Sequence, residues 1–173
     1  MAESFLRYKG WREEFDITDF SLIWIVIESV LDADVVHGNP SSLQGRLQEF
    51  INVNHLVEDW YHVTELDAVV AGDEQEFNKL LGKALWLVRQ NYWQPEAFWA
   101  SLRNTDWVVT MAARSRFAKD ATLNAFFEVF THFVLPALAP NAAHPVMESL
   151  GWNRINKERE GLADTCQHTV ETG

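Results

Sequence analysis

The sequence predicts an all-α fold, a single-domain helical bundle of about six to seven helices, on three observations. Apolar residues recur at spacings of three and four along most of the chain. Capping residues and prolines fall where helices would begin and end. The β-branched runs Ile23 to Ile27 and Val108-Val109-Thr110 sit inside longer helical patterns, and no Asn-Gly or Asp-Gly turn adjoins them to make a hairpin.

The first helix is expected from about Thr18 to Asp32. Asn39-Pro40-Ser41-Ser42 supplies a turn and an N-cap for a second, running through Phe50 and Ile51. A third covers about Asn54 to Val70 and ends at Ala71-Gly72. Asp73 followed by Glu76 resembles a capping box and starts a fourth, which reaches Tyr92 or Trp93. Pro95 suits a first helical position and opens a helix to about Arg103. Asn104-Thr105 breaks the chain and caps another to about Phe117. Asp120 caps the last long helix, expected to end near Leu135 because Pro136 forgoes a helical hydrogen bond. A short helical turn from Pro145 to Leu150 is stopped by Gly151. The helical domain thus covers residues 1–152, and residues 153–173, polar and without apolar periodicity, read as a flexible tail.

Composition bounds the function. A chain of 173 residues that is 47% hydrophobic and holds eight Trp can bury one substantial core. The lone Cys166 can form no disulfide within the chain, which suits a reducing compartment. No basic segment precedes an apolar run at the amino terminus, and the longest apolar stretch, Leu22 to Ile27, is too short to span a bilayer. A cytoplasmic protein without membrane contact is the expectation. A net charge of −11 also opposes direct nucleic-acid binding.

That charge is segregated along the chain. From Glu13 to Glu76 there are fifteen acidic side chains and one basic one, Arg46, whereas from Lys79 to Lys119 there are seven basic and two acidic. Like charges at helical spacing repel, so a purpose is needed for a stretch from Leu47 to Asn78 that holds eight acids and no Lys or Arg. Steering a cationic partner is such a purpose. The alternative is that acidic helices pack beside basic ones within the monomer.

Three chemical constellations compete with that reading. His55-x-x-Glu58-Asp59-x-x-His62 and Glu128-x-x-x-His132 have nitrogen and oxygen ligands at metal-compatible spacing, and Glu28 in an apolar helix could join them. At 100° per residue, however, His55, Glu58, Asp59 and His62 centre roughly 150° from Val53, Leu56, Val57, Trp60 and Val63. Glu128 and His132 likewise oppose Phe126, Phe130 and Phe133, and Glu28 falls in a stripe with Thr18, Ser21 and Asp32. These are solvent-facing stripes. Cys166 and His168 lie in the tail, where nothing orients them as nucleophile and base. Trp86, Trp93, Trp99 and Trp107 fall within 22 positions and form either core or an interface. With Arg89, Arg103, Arg114, Arg116 and Lys119 they would suit single-stranded nucleic acid, against the overall charge. No phosphate loop, nucleophile elbow or dinucleotide fingerprint is present.

The sequence therefore points to a non-enzymatic acidic helical protein, with no predicted cofactor, that binds a basic surface of a partner protein through Glu58, Asp59, Glu65, Asp67, Asp73, Glu74 and Glu76. It would act as a regulator or inhibitor, and as a nucleic-acid mimic if that surface normally holds nucleic acid. One alternative is a small metalloprotein or enzyme that uses a transition metal held by His55, Glu58, His62, Glu128 and His132, or a Trp-lined pocket closed by Arg114 and Arg116 around an anionic substrate. Another is a subunit of a larger assembly that covers exposed Trp.

Overall fold

The first described residues form a β-hairpin. In a computed structural model describing residues 3–54, 61–120, 122–138 and 144–155, strand β1 (Glu3–Tyr8) pairs antiparallel with β2 (Trp11–Asp16). The connection is Lys9-Gly10, both with positive φ, 50° and 77°. Two left-handed residues in a two-residue loop match the right-handed twist of the strands they join. Ser4, Leu6 and Tyr8 on β1 and Trp11 and Phe15 on β2 alternate inward at the strand period of two.

Two further strands complete a mixed sheet of order β3-β1-β2-β4. β3 (Tyr61–Glu65) lies parallel to β1, with Arg7 opposite Glu65, and β4 (Asn153–Arg154) lies antiparallel to β2, with Trp11 opposite Arg154. The protein is thus a mixed α/β fold, and the expected all-α helical bundle is incorrect. The expected helix from Asn54 to Val70 is also replaced: its second half is β3 followed by the short α4 (Leu66–Val70). Stiff β-branched Val63 and Thr64 favour the extended chain, and β1 supplies the backbone partner that a helix would otherwise have provided internally. Asn153 and Arg154, expected in the tail, form the edge strand, with buried Trp152 anchoring it.

The helices are α1 (Ile17–Glu28), α2 (Ala33–Gly38), α3 (Leu43–Asn54), α5 (Glu74–Asn91), α6 (Pro95–Ser101), α7 (Thr105–Arg114), α8 (Asn124–Leu138) and α9 (His144–Ser149). A 3-10 turn over Arg116–Lys119 follows α7. α8 runs beyond the expected stop and includes Pro136. So near the C-terminus the missing N–H forgoes one bond, to the carbonyl of His132.

α1 is the central element, and every residue from Leu22 to Glu28 is buried. It packs on β1 and β2 and against α3, α5, α7 and α8. Burial of Leu22, Ile23, Ile25 and Ile27 is worth roughly 1.5–3 kcal/mol per side chain. Glu28, expected on the solvent stripe, is instead buried, and its Oε1 accepts from Asn104 Nδ2 at 3.5 Å. Asp32 caps α2 through its carboxylate. Among the described residues no helix is long and apolar enough to cross a membrane.

Candidate functional site

Where β2 runs into α1, the chain places four carboxylates within seven residues: Glu13, Glu14, Asp16 and Asp19. Strand alternation turns Glu13 inward between Trp11 and Phe15, and there it meets α8. Glu13 Oε2 lies 3.5 Å from His132 Nε2. The imidazole is held between the rings of Phe15 and Trp152, at centroid distances of 5.9 and 5.4 Å. Gly151 makes room for that carboxylate: its φ is +95°, and a Cβ there would lie 3.0 Å from Glu13 Oε2. Only glycine meets both conditions without strain.

Asp16 is the N-cap of α1, with its Oδ1 accepting from Thr18 N at 2.8 Å. Asp19, in the first turn of α1, is 3% exposed. Its Oδ2 accepts from Arg116 at 2.6 Å, while its Oδ1 is buried without a hydrogen-bond partner among the described residues. Burial raises the pKa of Asp19 above the ordinary aspartate value, and the Arg116 hydrogen bond and charge pull it back only in part. Arg116 is placed by Ser115, which ends α7 and whose Oγ accepts from Phe117 N, starting the 3-10 turn. Its guanidinium also rests on the Phe117 ring, 4.7 Å from the centroid.

Of these groups Phe15, Asp16, Asp19, Arg116 and His132 border a cleft of about 980 Å³. Its apolar surface comes from Phe15, Phe127, Val129, Leu135 and Leu150, and its charged lining from Glu14, Asp16, Asp19 and Glu128 with Arg114 and Arg116. That volume matches the size range of small-ligand and side-chain pockets, and an apolar floor with a few placed charges is their usual chemistry. A buried carboxylate with a raised pKa in such a cleft marks a functional candidate. Carboxylates outnumber guanidinium groups in this lining, so the cleft favours a cation that carries apolar surface.

The structure redistributes the residues singled out by sequence. Glu128 and His132 both line the cleft, as do Arg114 and Arg116, but no Trp lines it. His62 lies on β3 opposite Ser4, not on a helix, and His55, Glu58 and Asp59 lie outside the described residues. The shared helical face drawn for these four is therefore corrected at His62. Among the described residues no three His, Cys, Asp or Glu side chains converge on a point that could hold a metal ion.

Among the described residues of the expected docking set, Glu65, Asp67, Asp73 and Glu76 make contacts within the fold. Glu65 pairs with Arg7 at 2.8 Å, and Asp67 accepts from the left-handed Lys9 amide at 3.1 Å. Asp73 pairs with Arg46 at 2.7 Å, Glu76 accepts from Gln44 at 3.3 Å, and Glu74 opens α5. Their partners come from β1, the hairpin turn and α3. Asp19 and Arg116 join the acidic block to the basic one by an ion pair.

Sequence reasoning missed Glu13, Glu14, Asp16 and Asp19 as site residues. The signal available was the inward alternation Leu6, Tyr8, then Trp11, Phe15, with Asp16 as a helix cap. The fold and cleft together define a mixed α/β protein with an acidic, apolar-floored cleft. Compared with protein-family models, curated proteins and solved structures, the chain matches none, so its site is read from its own residues.

Proposed function

We propose that this chain is a binding protein that takes a basic, partly apolar segment of a partner protein into the cleft between β2, α1 and α8, and so acts as a regulator or inhibitor of that partner. The supporting observation is Asp19, a carboxylate almost wholly buried at the cleft, with one oxygen unpartnered. A Lys or Arg head group beside Asp19 would offset the charge of its buried carboxylate. Its alkyl stem would cover Phe15, Phe127 and Leu135, as long cationic side chains do. Glu128, at the cleft edge, has no hydrogen bond or ion pair among the described residues and supplies a second anionic contact. This moves the expected docking surface away from Glu65, Asp67, Asp73 and Glu76, whose carboxylates already have partners.

A synthetic peptide with two Arg flanked by Leu and Phe, titrated by calorimetry and by amide shift mapping, tests the reading. Affinity should fall about tenfold or more in the Asp19→Asn, Glu128→Gln double variant and should weaken with salt. Shifts confined to residues 65–76, or no effect of the double variant, would sink the idea. Arg114, unpaired among the described residues, favours a second reading in which an anionic substrate is held with Arg116. An acidic peptide of matched length that bound in place of the basic one, and lost affinity in Arg114→Gln, would establish that instead.

A further inference from the structure

The outer face of α5 carries the opposite charge and the exposed indole of Trp86, and Trp93 is exposed in the turn just past its end. Phe77, Leu81, Ala84 and Val88 turn inward, so at 100° per residue Lys79, Trp86 and Gln90 point directly away from the core. Trp86 is 62% exposed, and Trp93, seven residues on, is 59% exposed. Trp93 is also fixed in place, since its Nε1 donates to Gln90 O at 3.0 Å. Lys79, Lys83 and Arg89 on the same side have no ion pair among the described residues.

Beside Trp86 runs a groove of about 600 Å³, lined by Val30, Gly82, Lys83, Trp86 and Leu87. Gly82 sits in the middle of an 18-residue helix, where it is worth about 1 kcal/mol less than Ala. A Cβ at this position would meet nothing within 4 Å. No internal contact therefore demands glycine here; its effect is to keep the groove open.

We infer that this face docks an acidic amphipathic helix of a partner protein. Three features specify that occupant. Unpaired Lys79, Lys83 and Arg89 call for carboxylates. The apolar groove over Gly82 calls for a Leu-like or aromatic anchor between them. Lys79 and Trp86 lie seven residues apart on α5, about 10.5 Å along the axis, which matches the anchor spacing of a helix laid in a groove. Single-stranded nucleic acid fits less well, because it would use the exposed rings and leave the apolar groove of Val30, Gly82 and Leu87 unfilled. The surface shares no residue with the acidic cleft, and the proposal stands apart from the function assigned to that cleft.

A displayed library of helices with Leu at heptad spacing and Glu on the flanks, selected on the full chain, tests the inference. Gly82→Leu is the decisive variant, because it fills the groove while raising helix propensity. Selected helices should lose about tenfold or more in affinity on Gly82→Leu, and a similar factor on Trp86→Ala and on the Lys79→Glu, Lys83→Glu pair. A library that yields no helix able to tell the wild-type chain from Gly82→Leu overturns the inference. So does an oligothymidylate that binds more tightly than any selected helix and depends on Trp86 and Trp93.

Discussion

Asp19 shows two electrostatic effects in competition. It lies in the first turn of α1, where the helix terminus favours a carboxylate by about 0.3–1 kcal/mol, and it has Arg116 at 2.6 Å. Its pKa is nevertheless raised, so loss of hydration outweighs both. With a folded pKa above the unfolded one, the native state binds this proton more tightly than the unfolded chain does. The stabilisation is fully present below the unfolded value and is lost as pH rises through the folded value. Asp19→Asn keeps an acceptor for Arg116 and removes the buried charge. This variant should melt higher than the wild type at pH 7, and the difference should close as pH falls to about 3, below the ordinary aspartate value. Melts at the two pH values check this, and a variant less stable at pH 7 would mean that the Arg116 ion pair dominates. A carboxylate held where burial opposes its charge accords with the proposed binding role.

At the scale of elements, the hairpin turn is the instructive case. Lys9 occupies a left-handed conformation with φ of 50°, which disfavours a side chain by about 1–2 kcal/mol. The Asp67 carboxylate on the Lys9 amide and the Lys9 ammonium 5.5 Å from the Tyr8 ring hold it there. Lys9→Gly should relieve the strain and stabilise the protein by about 0.5–1 kcal/mol, measured by urea unfolding. Because Lys-Gly is not a standard hairpin signal, β1 and β2 could not be read from their turn. β3 was hidden for another reason. Val63 falls in phase with a helical stripe, and only pairing with β1, more than fifty residues earlier, settles it as strand. α5 and α6 were legible because their signals are local: acids at the first turn of one, and Pro95 at the start of the other. Half of the cleft was legible for the same reason. Glu128, His132, Arg114 and Arg116 stand out on helices, whereas Glu13 and Asp19 acquire meaning only through partners that the fold brings from α8 and the 3-10 turn.

Over the whole molecule, charge segregation resolves into local accounts. Arg46, the one basic residue among fifteen acids from Glu13 to Glu76, donates to Val69 O at 2.9 Å, Val70 O at 3.0 Å, Ser41 O at 2.5 Å and Asp73 at 2.7 Å. It satisfies the terminal carbonyls of α4 and ties α3 to the start of α5, a geometry suited to a planar fork with five donors. Arg46→Lys keeps the charge but loses most of these bonds, and should lower stability by about 1–3 kcal/mol in chemical denaturation. An unchanged midpoint would show that charge alone sufficed. The sheet carries a consequence of another kind. β1 and β2 can close on each other within microseconds of emerging, as hairpins do. Their outer neighbours are encoded far downstream, β3 about fifty residues later and β4 near the end of the described chain. During synthesis both edges of the young hairpin therefore stay open, and loop closure over those separations sets the pace of folding. The order in which the ribosome delivers β3 and then β4 fixes the order in which those edges are sealed.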